Sequence, residues 1–248
     1  MYRIPDDERI FPHPSHAEPS GLLGVGGDLH PERLMLAYAN GIFPWYSEGQ
    51  PILWFSPDPR CVLLPDQLRI GRSLRKSIAR KGFQISMDTA FDEVIHACKH
   101  TSRPGQDGTW ITEEMRSAYI RLHELGHAHS VEVRSDGELV GGLYGVALGR
   151  LFAGESMFSR ASDASKTALV WLVRQLQCWG YEMIDAQVHT HTLERLGAVE
   201  VDRSEYLSRL PSLINGGGRV GHWSFDEGFH PLDQRTARAS CDSDIAPT

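Results

Sequence analysis

The sequence predicts an α+β fold, with a small N-terminal α/β domain at residues 1–64, a larger C-terminal domain at 65–232 and a disordered tail at 233–248. Three observations support this prediction. A strand, a loop, a helix and a second strand follow one another at residues 151–187, an order typical of two parallel strands joined by a crossover helix. Further strand-like segments stand immediately before them. The final stretch, DQRTARASCDSDIAPT, carries no apolar pattern.

The N-terminal domain begins with an extended arm, since its first residues are rich in proline and lack apolar periodicity. A glycine-rich segment follows at 21–28. It has neither the Lys-Ser/Thr of a P-loop nor the spacing of a dinucleotide-binding loop, so we expect tight backbone packing there. Residues 31–40 are predicted to form a helix, with proline in its first turn and glycine after it. Short strands at 52–55 and 61–64 flank the rigid turn SPDPR.

A basic, amphipathic helix is predicted at residues 69–81. Ile70, Leu74 and Ile78 recur at a spacing of four and would form one buried stripe. No acidic residue interrupts the basic side chains, which are Arg69, Arg72, Arg75, Lys76, Arg80 and Lys81. This face is either simply solvated or a contact surface for the phosphate backbone of a nucleic acid, because clustered cations neutralise phosphates and release counterions.

The central part of the chain predicts the acetyltransferase-like (GNAT) core. After a strand at 83–87 and helices at 89–98 and 112–125, three antiparallel strands are predicted at 127–134, 139–148 and 151–156. A helix at 166–179 and a strand ending at 187 then complete the crossover. Two short helices, at 190–195 and 204–213, close the domain.

Polar side chains are predicted to converge at the ends of the two parallel strands. Glu155 ends the first strand, and Asp185 and Gln187 end the second. Ligands bind open α/β sheets at the carboxyl ends of such strands, so these three residues are the candidate catalytic site. Gln187 stands two residues after Asp185 and is expected on the same face of the strand. Alternatively, Glu155 only caps the backbone of its own loop.

An apolar pocket is expected around this site. Candidate lining residues are Leu143, Phe152, Leu169 and Ile184, although each of them could equally be plain core. The loop at 159–165 precedes the crossover helix, and a helix N-terminus suits a phosphate or a ribose.

Composition limits the classes of function. The chain is 41% hydrophobic and 23% charged, and its net charge of −7 disfavours a general nucleic-acid binder. Its apolar runs are too short to span a membrane, and its polar, acidic start predicts no signal peptide, so we expect a cytoplasmic protein.

The four cysteines have no metal-ligand spacing and are expected to be free thiols. No metal site is predicted either, because His127 and His129 lack a third nearby ligand.

Several motifs occur in one fixed order: GLLGVGGDL, GIFPW, SPDPR, GTWIT, YIRLHELGHAHSVEV, GGLYGVALGRLFAGESMFSR, ASKTAL and IDAQV followed by LGA. Together they resemble the leucyl/phenylalanyl-tRNA–protein transferase family, from about residue 21 to residue 210. The resemblance implies a bacterial cytosolic aminoacyltransferase of the N-degron pathway. It would move Leu or Phe, and Met less well, from aminoacyl-tRNA to proteins with an N-terminal Lys or Arg. The resemblance also implies that neither a metal nor coenzyme A is needed, so no cofactor is expected. We also expect a monomer.

The resemblance also assigns roles to residues. Asp185 and Gln187 of IDAQV match the residues that carry the chemistry, with Glu155 of GESMFSR beside them. Trp45 of GIFPW and Trp110 of GTWIT match aromatic residues that face the aminoacyl-adenosine end of the tRNA. After IDAQV the sequence departs from some members, which have Asn and then Asp-His where this chain has THT at 190–192.

The reaction that this family performs is the aminolysis of an ester. It needs a neutral amine, correct placement and stabilisation of the developing oxyanion. Asp185 is the candidate for accepting the proton of the amine, unless the substrate itself transfers that proton. Glu155 and Asp185 could also select the cationic acceptor.

Other functions stay open. A coenzyme A acyltransferase is disfavoured, because the loop at 159–165 lacks the glycines that hold a pyrophosphate. A peptidoglycan cross-bridge transferase would also use charged tRNA. A non-catalytic tRNA-binding module would need only the basic helix.

Overall fold

The structure is a computed structural model that describes residues 1–101 and 110–233. Within these residues the chain forms two β-sheets and seven α-helices. The strands are β1 (Tyr2–Ile4), β2 (Leu22–Gly26), β3 (Phe43–Pro44), β4 (Leu53–Phe55), β5 (Arg60–Leu63), β6 (Gln84–Met87), β7 (Ala128–Ser135), β8 (Glu138–Leu148), β9 (Leu151–Ser159), β10 (Met183–Gln187) and β11 (Val199–Val201). The helices are α1 (Pro31–Ala39), α2 (Arg72–Arg80), α3 (Phe91–Lys99), α4 (Glu113–Glu124), α5 (Ala164–Cys178), α6 (His191–Arg195) and α7 (Arg203–Ile214).

The larger sheet has seven strands in the order β11-β5-β10-β9-β8-β7-β6. Strands β7, β8 and β9 form an antiparallel meander, and β10 lies parallel to β9 after the α5 crossover. The predicted meander and crossover are therefore confirmed. Their alternating and helical periodicities were strong enough to specify them without tertiary information.

Strand β5 lies in the larger sheet, although the sequence assigns it to the N-terminal domain. It pairs with β10 on one side and with β11 on the other. All four of its residues are buried, which is typical of a strand that has neighbours at both edges and helices on both faces. The chain therefore contributes a strand to the C-terminal sheet before residue 64. The division into two domains near residue 64 stays a prediction.

The smaller sheet has the order β1-β2-β4-β3 and contains the glycine-rich segment. Strand β2 runs parallel to β1, and the first residues of the chain therefore form a strand rather than only an arm. A Cβ atom at Gly24 would lie 2.7 Å from the Cδ1 atom of Ile4. The glycine thus permits close packing of β1 on β2, as the sequence suggested.

Helices cover both faces of the larger sheet. Leu143, Phe152 and Ile184 pack with α5 in one buried cluster. Their neighbours Tyr144 and Ala153 pack with α3 and α4 in another cluster. Because successive strand residues point to opposite faces, α5 lies on one face and α3 and α4 lie on the other. No helix in the two described ranges has the length and apolar character to cross a membrane.

The segment that follows α7 is anchored to the larger sheet by a buried aromatic residue. Trp223 stacks on His129 with ring centroids 3.5 Å apart. Its backbone N–H donates to Asp88, whose carboxylate also contacts His129 Nδ1 at 2.8 Å. His129 therefore has the structural role that a histidine on a buried strand usually has. The predicted tail lies outside the described residues from residue 234 onward.

Candidate active site

A cavity of about 330 Å³ opens where β9 and β10 separate. The two strands pair at residues 151–153 and 183–185 only, and β9 then continues for six more residues without β10 beside it. Leu169 and Leu172 of α5 form one wall, and Phe43, Pro44 and Trp45 of the N-terminal region close another. Apart from a few polar groups the wall is apolar.

The structure brings together all the residues predicted to form the apolar pocket. The cavity is lined by Trp45, Trp110, Leu143, Phe152, Leu169 and Ile184. Strand alternation places the side chains of Leu143, Phe152 and Ile184 on the α5 face, where Leu169 meets them. Both tryptophans are only partly buried, and Trp45 packs edge-on against Phe55 at 5.5 Å.

Glu155 lies in the middle of β9 and not at its end, so its predicted position is corrected. Tyr144 of β8 pairs with Ser156, and Gly145 pairs with Gly154, which leaves Glu155 as the extra residue of a β-bulge. A bulge bends the strand and re-aims one side chain. Here it coincides with the point where β10 leaves β9, and it directs the Glu155 carboxylate to the cavity.

Glu155 is 9% exposed, and three side chains donate hydrogen bonds to its carboxylate. They are Tyr38 Oη at 2.7 Å, Tyr119 Oη at 3.0 Å and Gln187 Nε2 at 2.7 Å. Burial raises the pKa of Glu155 to about 7, although these hydrogen bonds oppose the rise. Burial also raises the pKa of both tyrosines well above the usual value, so they remain donors.

Gln187 ends β10 in a left-handed conformation with φ 63°. Its backbone N–H donates to Asp185 Oδ1 at 3.0 Å, and its side chain turns to Glu155 and the cavity. Side chains two residues apart share a face only in a regular strand, and the left-handed conformation of Gln187 ends that regularity. The predicted shared face of Gln187 and Asp185 is therefore not observed. The two side chains have different surroundings.

Asp185 is 1% exposed and is not among the residues that line the cavity. Arg60 of β5 binds both of its oxygens, with Nε 2.8 Å from Oδ1 and Nη2 2.6 Å from Oδ2. The Tyr206 hydroxyl of α7 donates to Oδ2 at 2.9 Å. Burial lowers the pKa of the Arg60 guanidinium, but Asp185 more than offsets this and holds that pKa above its usual range. Asp185 is thus held in a buried ion pair behind the cavity.

Arg60, Tyr38, Tyr119 and Tyr206 are site residues that the sequence did not reveal. Each reaches the site from an element far away along the chain, and the three tyrosines have no local pattern that predicts them. Arg60 also donates to the Gly41 carbonyl at 3.0 Å and lies between the rings of Phe43 and Tyr206. The SPDPR motif, in which an arginine opens a buried strand, was the one available signal.

Comparison with known proteins gives one consistent family. The family model described as leucyl/phenylalanyl-tRNA protein transferase matches residues 62–211, and the model of its N-terminal domain matches residues 27–58. The chain belongs to the leucyl/phenylalanyl-tRNA–protein transferase family. It is accordingly an aminoacyl-tRNA–protein transferase, and the resemblance read from its motifs is confirmed.

Relatives of this transferase match over most of the chain. Proteins named leucyl/phenylalanyl-tRNA–protein transferase are 53% identical in Nitratidesulfovibrio vulgaris, 55% in Myxococcus xanthus and 56% in Nitrosomonas europaea. The matches cover 93%, 90% and 84% of this chain and 99%, 96% and 88% of the relatives.

Two solved structures illustrate a distant similarity. A functionally unknown conserved protein from Staphylococcus epidermidis is 8% identical, with a TM-score of 0.41 over 73% of this chain and 68% of its own. A GCN5-related N-acetyltransferase from Kribbella flavida is 11% identical, with a TM-score of 0.35 over 66% of this chain and 58% of its own. The transferase is a mixed α/β protein with two sheets.

The basic residues of the transferase lie outside the cavity. Those predicted to contact tRNA are all exposed: Arg69, Arg72, Arg75, Lys76, Arg80 and Lys81. Helix α2 begins only at Arg72, so Arg69 precedes it. Leu74 and Ile78 pack in the same cluster as α5, and Leu169 and Leu172 of α5 line the cavity. Helix α5 therefore connects the helix that carries most of the basic side chains to the cavity wall.

The N-terminus of α5 already has partners from the chain itself. Ser159 Oγ accepts a hydrogen bond from the Ser165 N–H at 3.2 Å, and Asp163 forms an ion pair with Lys166 at 2.5 Å. An acidic residue at this position disfavours a bound anion. The geometry gives no added support to the suggested phosphate or ribose site at this loop.

Proposed function

We propose that this transferase moves Leu or Phe, and Met less well, from aminoacyl-tRNA to the N-terminal Lys or Arg of acceptor proteins, as a step of the N-degron pathway. The observation that carries this proposal is the cavity between β9 and β10. It combines an apolar wall with one carboxylate, Glu155, and one amide, Gln187, at a single point.

The cavity suits an aminoacyl ester with an apolar side chain. Ligand pockets usually measure about 300–1,000 Å³, and the volume of about 330 Å³ lies at the lower end of that range. Phe152, Leu169 and Ile184 would surround Leu or Phe, and Trp45 and Trp110 would face the terminal adenosine. A charged amino acid would lose its hydration in this wall without gaining a partner, so it would be rejected.

The chemical step would join the acceptor amine to the esterified carbonyl. The amine nitrogen attacks the carbonyl carbon, the C–N bond forms and the C–O bond to the ribose breaks. One proton leaves the nitrogen, and the ribose oxygen gains one as it departs. We propose that Glu155 receives the amine proton and can return it to the leaving oxygen, because its pKa of about 7 is close to that of an α-amino group, about 7.7–8.0.

Gln187 and Asp185 would support this step in different ways. Gln187 shares a hydrogen bond with Glu155 and lines the cavity, so it can fix the direction of the carboxylate. Asp185 binds Arg60, Tyr206 and the Gln187 backbone. These contacts support a positioning role for Asp185, whereas the sequence predicts that it accepts the proton.

The exposed basic surface around α2 would bind the tRNA backbone while the acceptor end enters the cavity. We also propose that the C-terminal part is a GNAT-like domain, supported by the β7-β8-β9 meander and the α5 crossover to β10. We also propose a monomeric, cytoplasmic enzyme with a domain boundary close to residue 64, although β5 before that boundary pairs within the C-terminal sheet. The acceptor proteins would carry a cationic N-terminus, which the ionised form of Glu155 attracts.

A transfer assay tests the proposal. Purified protein is mixed with leucyl-tRNA and a peptide with N-terminal Arg, and the mass of the peptide is followed. We expect an increase of one leucine residue, and no change when the N-terminal residue is Asp. Binding of tRNA without transfer would favour the non-catalytic module. Modification by acetyl-CoA instead would favour a coenzyme A acyltransferase.

A further inference from the structure

Three metal-ligating side chains cluster at the rim of the cavity, in a segment that the proposed reaction does not use. His189, His191 and Glu194 are exposed. Residues between them in the chain, Thr190 and Leu193, line the cavity. The ligating side chains therefore project from the outer side of the same short segment that forms part of the cavity wall.

The separations of the ligand atoms match a tetrahedral metal site. Glu194 Oε2 lies 3.3 Å from His189 Nε2 and 3.4 Å from His191 Nδ1. Tetrahedral Zn²⁺ holds N and O ligands at about 2.0–2.1 Å, which places neighbouring ligand atoms about 3.3–3.4 Å apart. All three atoms lie within 4.8 Å of one another. Since His191 is 90% exposed, a rotation of its side chain can shorten the remaining separation.

Local structure presents these side chains together. Thr190 Oγ1 accepts a hydrogen bond from the Leu193 N–H at 3.2 Å and so caps the first turn of α6. The cap fixes His191 and Glu194 three positions apart, a spacing that places two side chains on one face of a helix. His189 reaches the same point from the residue before the cap.

We propose that His189, His191 and Glu194 form a site for a divalent ion of the zinc type. Two imidazoles and one carboxylate are the donors that Zn²⁺ accepts readily, whereas Ca²⁺ and Mg²⁺ prefer oxygen ligands alone. A fourth position remains for water or another donor.

A bound ion would join the end of the β10 segment to α6. His189 precedes the helix and Glu194 lies within it, so one ion would bridge the two and restrain Val188 and Leu193, which line the cavity. The site would thus couple metal binding to the rigidity of one cavity wall. Without metal, the two histidines each make an exposed contact with Glu194, and exposed contacts of this kind contribute little to stability.

Titration of the full-length protein with Zn²⁺ by isothermal calorimetry tests the site, with Co²⁺ absorption as a second readout. His191→Ala and Glu194→Gln are the test variants, and His16→Ala and Glu200→Gln are matched exposed controls. We expect one zinc ion per chain at this site, at least tenfold weaker affinity in each test variant and wild-type affinity in both controls. Co²⁺ should give the d–d absorption of a four-coordinate ion in the wild type and lose it in the test variants.

Circular dichroism verifies that each variant is folded, and the removal of exposed side chains is not expected to disturb the fold. Equal zinc affinity in the wild type and in both test variants would overturn the proposal. So would the absence of zinc binding to the wild type. A Co²⁺ spectrum that is unchanged by His191→Ala would place the ion elsewhere and would also overturn it.

Discussion

Gln187 Nε2 donates a hydrogen bond of 2.7 Å to Glu155 Oε1 across the gap where β9 and β10 separate. This contact joins the bulge of one strand to the left-handed end of the other. Two local departures from regular strand geometry therefore meet at one carboxylate. Because burial raises the pKa of Glu155 to about 7, that carboxylate can change its charge near neutral pH.

Glu155→Gln should reduce the rate of aminoacyl transfer by about 10²–10⁴-fold at pH 7, the range expected for loss of a general base. In the wild type, the rate should rise with pH through about 7 as Glu155 ionises and again near the pKa of the acceptor amine. The variant should retain only the second rise. The measurement is the initial rate of transfer from pH 5.5 to 9.

Glu182→Gln is a control for this experiment, because it removes an exposed carboxylate that does not line the cavity. It should leave the pH profile unchanged. If Glu155→Gln kept the wild-type rate and both inflections, the substrate itself would have to move the proton.

The stability of the protein should also depend on Glu155. Its folded-state pKa is raised from 4.5 to about 7, so the protonated form stabilises the fold. That contribution is fully present below pH 4.5 and is lost as pH rises to about 7, by roughly 3 kcal/mol. Between pH 5 and pH 8 the free energy of unfolding, measured with urea, should fall by about 2.5 kcal/mol less in Glu155→Gln than in the wild type, because part of the contribution is already lost at pH 5. Equal decreases in both proteins would contradict the burial of an ionisable carboxylate.

Much of the framework could be predicted from local patterns. The meander and the α5 crossover follow from alternation and helical periodicity, and the apolar pocket residues follow from their places on those elements. The bulge at Glu155 could not be predicted in this way, because one extra residue in a strand leaves the apolar pattern on either side intact. The sequence consequently placed Glu155 at a strand end.

The contacts between site residues that are distant in the chain could not be predicted from the sequence either. Arg60 and Asp185 are 125 positions apart, and their pairing depends on β5 joining the larger sheet. A four-residue strand after two prolines does not indicate which sheet it enters. Tyr38 and Tyr119 reach Glu155 from α1 and α4. Nothing in the sequence distinguishes these two tyrosines from ordinary core aromatics.

Breaking the buried pair of Arg60 and Asp185 should destabilise the protein. Arg60→Met and Asp185→Asn should each lower the free energy of unfolding by about 3–5 kcal/mol, because each leaves a charge buried without its partner. The double variant should lose less than the sum of the two. Urea unfolding at pH 7 gives all four values of this double-mutant cycle. Strict additivity would mean that the two side chains do not interact in the folded state.

The exposed basic surface should contribute salt-dependent affinity for tRNA. Replacement of Arg75 and Lys76 by Ala should weaken tRNA binding and reduce the slope of log K against log salt by about 1.5, since each phosphate contact contributes about 0.7–0.9. Filter binding at several salt concentrations measures this slope. Arg121→Ala is the control, because α4 lies on the opposite face of the sheet. An unchanged slope in the double variant would mean that these basic side chains are solvated and do not contact the tRNA phosphates.

The width of the cavity should set the preference between amino acids. Leu169 is 6% exposed on α5 and lines the cavity, so Leu169→Phe would add a ring to that wall. The larger side chain should reduce transfer of Phe more than transfer of Leu, by about 10-fold or more, because an overfilled pocket excludes the bulkier ligand first. Competition between phenylalanyl-tRNA and leucyl-tRNA for one acceptor peptide measures the ratio.

Leu125→Phe makes the same change at an exposed position and should leave the ratio unaltered. Binding of uncharged tRNA should stay equal in all three proteins, because neither substitution removes an exposed basic side chain. A ratio that does not change in Leu169→Phe would show that the amino acid side chain binds outside this cavity.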